Sequence, residues 1–314
     1  MLIERAVLNT MLLATTAGGY SFFQFQQGRL ERMMQRANLH AYRARLANAD
    51  VHYWAGGAGA GRPLLLVHGF GADALWGWAM QAELGRDRFL IAPDLLWFGN
   101  SFSTQAEYTT LFQAQVLVEL LDHLAIEQVD VVGISYGGFV ALELAHGWSE
   151  RVRRIVLVDS PGHAYNLDDY HDLLARKDLD SVSDLVVPDA PSGVRRLVQL
   201  AYYRPPPIPM FVARDIYANM FVLHKEQKVR LLDNLLARAA TVDPDLYHIP
   251  HRTMVMWGDH DELFPPQLGY RLADTIGRRA HVELVPRANH APNLERAPYF
   301  NRRVASFLSA ADDR

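Results

Sequence analysis

Residues 129–138 read VDVVGISYGG and restrict the fold more than any other stretch of the chain. A valine-rich run with strand character passes at once into Gly133-Ile134-Ser135-Tyr136-Gly137, a G-x-S-x-G turn. Glycines two before and two after the serine keep side chains from clashing in a strained strand-to-helix turn and leave its hydroxyl exposed. Phe139, Val140, Leu142, Leu144 and Ala145 supply the apolar positions of the helix that follows, whose N-terminus favours negative charge near Ser135. Such a turn also holds structural serines, so its chemistry depends on what else the chain brings to it.

The chain has 314 residues, half of them hydrophobic, enough to bury a large core, and predicts one α/β domain with an insertion rather than two unrelated domains. A formal charge of −4 argues against a general nucleic-acid binder. The absence of cysteine excludes disulfides, thiolate metal sites and cysteine nucleophiles.

Residues 6–28 carry no charged side chain, and as a helix they would be long enough to cross the roughly 30 Å hydrocarbon layer of a bilayer. Asn9, Thr10, Thr15, Thr16, Ser21 and Gln24 lower the hydrophobicity, which leaves an interfacial helix, a signal peptide or an apolar arm packed on the domain as alternatives. Arg29, Arg32, Arg36, Arg43 and Arg45 follow, with Leu30, Met33, Met34, Ala37 and Ala41 beside them at helical spacing. This pattern predicts a basic amphipathic helix able to lie on an anionic membrane, or a solvated helix that caps the fold. Residues 1–49 are therefore expected to form an apolar and basic helical segment that attaches an otherwise cytoplasmic protein to a membrane.

Beyond it, strands are expected at 51–54, 63–67, 89–92, 129–133, 155–158, 253–257 and 281–285, and helices at 73–84, 111–124, 267–276 and 298–308. Strands alternating with helices imply a mostly parallel sheet flanked by helices, with functional groups beyond the carboxyl ends of the strands. The glycine-rich run at 56–61 is a turn, since no Gly-Lys-Ser/Thr follows to cradle a phosphate. In His68-Gly69-Phe70-Gly71 the glycines let backbone amides turn into a cleft, as candidate oxyanion donors. The alternation stops over 162–249, where helical pieces at 194–202, 211–223 and 229–239 and the stiff connector PPPIP predict a helical cap inserted between two core segments, 50–161 and 250–314.

A serine hydroxyl becomes a nucleophile only when a base takes its proton, and the base must be oriented by a carboxylate. Asp261 and His290 each follow a late strand and come in the order Ser135, Asp261, His290. Asp259, two residues from Asp261, and Asp159, after the strand that follows the serine turn, are alternative acids. His68 and Asp94 read as loop-fixing groups, and no histidine spacing suggests a metal site.

At this point the chain resembles the α/β-hydrolase superfamily from about residue 50 to its C-terminus. The resemblance is carried by HGFG, PDLLWFGNS, GISYGG, WGDHDELFP and NHAPNLERAPYF in that order, and most narrowly it is to capped serine esterases and monoacylglycerol-lipase-like members. It implies Ser135 as nucleophile, His290 as base and then acid, Asp261 as the orienting acid, and the backbone amides of Phe70 and Tyr136 as the oxyanion hole. Trp97, Phe98, Ile208, Met210 and Phe211 would shape a hydrophobic pocket. The expected activity is hydrolysis of a small lipid-like or aromatic ester through an acyl-enzyme, with no cofactor, no metal and no nucleic acid. A carbon-carbon bond hydrolase of ring-cleavage products, binding an anionic substrate through an arginine such as Arg204 or Arg214, is the second enzymatic reading. A ligand-binding or membrane scaffold protein is the rival from another class.

Overall fold

The computed structural model describes residues 21–59, 61–239 and 248–311, so the greater part of the uncharged N-terminal stretch lies outside the described residues. Among them, eight strands form one sheet in the order β1-β2-β4-β3-β5-β6-β7-β8. They are β1 Leu39–Arg45, β2 Asp50–Gly56, β3 Gly61–Val67, β4 Arg88–Pro93, β5 Val129–Ile134, β6 Val152–Val158, β7 Arg252–Gly258 and β8 Ala280–Val285. The β1–β2 and β2–β4 pairs are antiparallel, and the remaining pairs run parallel.

Successive side chains of a strand point to opposite faces, so a sheet covered on both sides needs strands that are apolar throughout. Leu65, Val67, Val131 and Val255 belong to the core on one side, with Leu117 and Leu121 of α3 (Thr110–His123), Val140 and Leu144 of α4 (Tyr136–Gly147) and Leu272 of α10 (Gln267–Ile276). Leu64, Leu66, Val132 and Met254 belong to the other core, with Met34 of α1 (Phe22–Arg36), Trp78 of α2 (Ala74–Trp78) and Phe300 of α12 (Ala297–Ser309). The acidic residue inside β5, Asp130, is wholly buried and held by Arg88 at 2.7 Å and by Arg153 at 2.8 Å. A buried charge persists only when paired in this way.

Between β6 and β7 the chain leaves the sheet for five described helices: α5 Leu167–Lys177, α6 Ser183–Val186, α7 Pro191–Ala201, α8 Met210–Met220 and α9 Lys225–Ala239. Asn166 and Asp169 form a reciprocal capping box that starts α5, and Pro191 opens α7 at a position where a missing N–H costs nothing. The proline-rich run at 205–209 joins α7 to α8. The last turn of the sheet leads through α11 (Pro292–Glu295) into α12.

Two expectations need correction. The helical spacing read from Leu30 to Ala41 does not continue: α1 ends at Arg36, and Leu39–Arg45 is the edge strand β1. The apolar side of α1 is also not free, since Phe23, Leu30 and Met34 are buried against the protein while Arg29, Arg32 and Arg36 face solvent. In its described part α1 thus packs on the domain, as in the second of the two readings of this segment. The helix expected over 73–84 is instead a short α2 followed by a 3-10 segment, Ala79–Arg86. Among the described residues, no helix is long and apolar enough to cross a membrane.

Candidate active site

Ser135 stands where β5 gives way to α4, at φ 52° and ψ −122°, a conformation that costs a non-glycine residue on the order of 1–3 kcal/mol. Its neighbours show why the turn needs glycine: a Cβ on Gly133 would run into the Gly137 carbonyl, and one on Gly137 into the Val67 carbonyl. The Ser135 amide donates to the Val158 carbonyl at 2.8 Å, which ties the turn to the adjacent strand.

His290 lies in the loop after β8, with Nε2 2.9 Å from Ser135 Oγ and Nδ1 2.8 Å from Asp261 Oδ2. Asp261 follows β7, and its other carboxylate oxygen accepts the amides of Leu263 at 2.8 Å and Phe264 at 2.9 Å. Both acid oxygens are therefore committed, and the Asp261 side chain is fully buried. The Phe264 ring meets the imidazole edge-on at 5.5 Å. With the carboxylate fixing hydrogen on Nδ1, the free Nε2 lone pair faces the serine hydroxyl, which is the arrangement that lets an imidazole take the hydroxyl proton.

The alternative acids sit differently. Asp259 turns to its neighbour His260, at 2.6 Å from Nδ1, and accepts the Ala288 amide. Asp159, at φ 43°, is wholly buried and accepts the Gly258 amide at 2.7 Å through one oxygen, while the other has no partner. Burial, and then the Asp261 carboxylate beside it, push its pKa well above the ordinary carboxyl range. Asp159, Asp261 and His290 offer ligand atoms within 4.8 Å of one another, the one such group found among the described residues. Two of its three members are already hydrogen-bonded to each other.

His68 Nδ1 donates to the Gly69 carbonyl in its own loop, Nε2 accepts the Leu95 amide from the loop after β4, and burial lowers its pKa. Asp94 accepts the amides of Ala74 and Asn100 and pairs with His52 at 2.8 Å. These two groups brace the loops after β3 and β4. Phe70 follows β3, and its ring meets those of Tyr136 at 5.2 Å and Phe98 at 4.9 Å, both edge-on. Tyr136 is the first residue of α4, so its amide has no acceptor within the helix.

A cavity of about 330 Å³ opens on Ser135 and His290. Its wall is apolar: Phe70 and Trp76 from the core, Val194 and Leu197 from α7, Val212 and Ile216 from α8, and Phe22 from α1. No Asp, Glu, Lys or Arg lines it among the described residues, and neither Arg204 nor Arg214 reaches it. Of the pocket residues expected from sequence, Ile208 lines this cavity. Trp97 and Phe98 do not; they are buried beside a chamber of about 40 Å³ that shares Phe70 and Phe221 with it. Met210 and Phe211 do not either, being 37 % and 39 % exposed on the first turn of α8. The smaller chamber holds Lys228, whose Nζ donates to the Met220 and Leu223 carbonyls and lies 5.5 Å from the Phe98 ring centre. Burial pushes its pKa down to about 8.

Sequence reading missed Phe22, Trp76 and the α7 face. The recurrence of Val194, Leu197 and Val198 marked α7 as one-sided, but nothing in a single sequence tells which partner that side meets.

Comparison with known proteins places this geometry. A family model described as the alpha/beta hydrolase fold matches residues 62–297. A 2-hydroxymuconate semialdehyde hydrolase from Pseudomonas sp. strain CF600 is 33 % identical over 265 residues, 81 % of this chain and 89 % of that protein. Lipase 1 of Psychrobacter immobilis is 30 % identical over 263 residues, 80 % of this chain and 78 % of the lipase. The crystal structure of a membrane phospholipase A has the same fold, with a TM-score of 0.76 at 23 % identity over 97 % of this chain and 98 % of that one.

Proposed function

The chain belongs to the α/β-hydrolase fold family and is a hydrolase, and from that premise we propose that it cleaves uncharged, hydrophobic carboxylic esters through an acyl-enzyme. The observation that carries this reading is the wall of the cavity beside Ser135: large, apolar and without a charged side chain among the described residues. An alkyl or aryl acyl group is stabilised there by burial, at about 25 cal/mol per Å² of apolar surface removed from water. A carboxylate would lose its hydration and gain no cation in return.

In this mechanism Ser135 Oγ attacks the ester carbonyl while His290 Nε2 takes the hydroxyl proton. The imidazolium that forms is stabilised by Asp261. The amides of Phe70 and Tyr136 receive the oxyanion, each donor supplying ~3 kcal/mol of transition-state stabilisation. His290 then protonates the departing alcohol, and a water activated by the same imidazole releases the acid. Asp159 stays outside this proton path. The helices between β6 and β7 act as a cap that excludes water from the acyl group.

The Pseudomonas relative keeps a second reading open, in which the same three side chains cleave a carbon-carbon bond. The muconate of that relative's name is an anion, which this cavity wall is poorly suited to hold. Turnover of p-nitrophenyl esters compared with that of a ring-cleavage dienoate separates the two: esters are expected to be the better substrates by orders of magnitude. Ser135→Ala is expected to lower kcat ~10⁶-fold and to abolish labelling by a fluorophosphonate probe. Labelling that persists in that variant refutes the assignment of the nucleophile. Membrane attachment, for its part, is proposed on the uncharged N-terminal sequence alone, ahead of α1.

A further inference from the structure

The cavity wall includes a residue from outside the sheet and its insertion. Phe22 is the first residue of α1, far from Ser135 in sequence, and it lines the same cavity as Ser135 and His290. The two phenylalanines that begin this helix have separate surroundings. Phe23 is 8 % exposed and stacks on Trp76 at 5.1 Å with 17° between the rings, which anchors the helix on the core. Phe22 is only half-buried, and what it faces is the cavity.

The start of α1 is held by the insertion as well. Asp215 Oδ2 accepts both the Ser21 hydroxyl and the Phe23 amide, each at 2.7 Å. A carboxylate there meets the unsatisfied N–H groups and the positive end of the helix dipole. Ser21 in turn caps the Gln24 amide. On α8, Val212 and Ile216 stand one turn apart in the cavity wall, and Asp215 lies immediately before Ile216. The element that latches α1 is therefore the same one that forms the neighbouring wall. Trp76, on which Phe23 is stacked, is a wall residue as well.

We propose that α1 is a specificity element of the active site, in which Phe22 limits the length and bulk of the acyl group and Asp215 holds that limit in place. The inference deepens the ester reading and rests on it for the identity of the substrate. Phe22 is a wall and not a core residue, so shortening it enlarges the space for substrate without emptying the core. One methylene gained or lost in such a pocket changes selectivity by roughly 10- to 200-fold.

The test uses the full chain carrying Phe22→Ala, Phe22→Trp, Asp215→Ala or Asp215→Asn, each checked for an unchanged near-ultraviolet spectrum and thermal midpoint. The first readout is kcat/KM for p-nitrophenyl esters from butyrate to palmitate. The ratio of palmitate to butyrate is expected to rise about tenfold in Phe22→Ala and to fall in Phe22→Trp. It is expected to rise in Asp215→Ala and to return towards wild type in Asp215→Asn, whose amide oxygen can still accept both hydrogen bonds. The second readout needs no catalysis: calorimetric binding of uncharged saturated 1-alkanols, from hexanol to dodecanol, to Ser135→Ala protein with and without the Phe22 changes. If wild-type protein hydrolyses no ester but the length profile of alkanol binding shifts with Phe22, the wall stands and the ester reading falls. A folded Phe22→Ala protein with wild-type profiles in both readouts overturns the inference, as does an absence of alkanol binding at every length.

Discussion

Asp159 and Asp261 are buried carboxyl groups beside one imidazole, and only Asp261 touches it. Burial of the other, and then its charged neighbour, raise its pKa well above the ordinary carboxyl range. An acid whose pKa is raised in the folded state retains a proton that the unfolded chain has released, so stability falls as pH rises from about 3.9 through the folded value. Asparagine in place of Asp159 can still accept the Gly258 amide and carries no such penalty. Asp159→Asn is therefore expected to raise the thermal midpoint by a few degrees at pH 8, less at pH 5, with hydrolase activity within a few-fold of wild type. A midpoint difference independent of pH would show that burial of this acid carries no titration-linked penalty. At this scale much of the site was legible. Strand ends and chain order brought forward Ser135, Asp261 and His290, because each is announced by local grammar, a glycine turn or a loop after an apolar run. The preference for Asp261 over Asp259 came from the resemblance more than from local pattern, because two residues in one loop differ only in the direction the backbone gives them. The structure turns Asp259 to His260 and Asp261 to His290.

Among the elements, α1 shows how a pattern can be read correctly and its partner missed. Apolar residues on one side and arginines on the other describe a helix at any interface, lipid or protein. Here the apolar side meets the second core, where Met34 is 1 % exposed. Met34→Ala is expected to destabilise the protein by ~2–5 kcal/mol in urea unfolding. Replacing the exposed Arg29 or Arg32 by glutamine is expected to change stability by less than about 0.5 kcal/mol. The opposite ranking would mean that α1 is not seated on the domain as described. The continuation of the helix into 39–45 failed for a related reason. β1 is an edge strand with only Leu39 and Ala44 buried, so its alternation is weak, and its identity comes from pairing with β2. Charged side chains such as Arg43 on an outer strand also discourage pairing with another molecule. The pocket residues expected at Met210 and Phe211 failed because a helix of known apolar content does not reveal its rotation. Val212 and Ile216 face the cavity instead.

For the molecule as a whole, the sheet order explains why truncation at different points has different outcomes. A chain beginning at Asp50 lacks β1 and α1, which leaves the outer face of β2 unpaired and the Met34 contact site exposed. It is expected to aggregate, and so to sediment whether or not a membrane is present. A chain beginning at Ser21 keeps every described element and the Asp215 latch. It is expected to match the full chain in thermal midpoint within about 2 °C and, if the preceding residues are the anchor, to leave the membrane fraction. Recovery of this shorter chain in the membrane pellet would move the anchor elsewhere.

The three reacting side chains come from loops at strand ends, whereas about half of the cavity wall comes from the insertion between β6 and β7, its helices and connectors together, with Phe22 added from α1. Reactivity and selectivity are thus written in separable passages of the chain. The wall can drift towards longer, shorter or charged substrates through changes that never disturb the sheet, which gives one scaffold room for relatives with the names of a lipase and of a semialdehyde hydrolase.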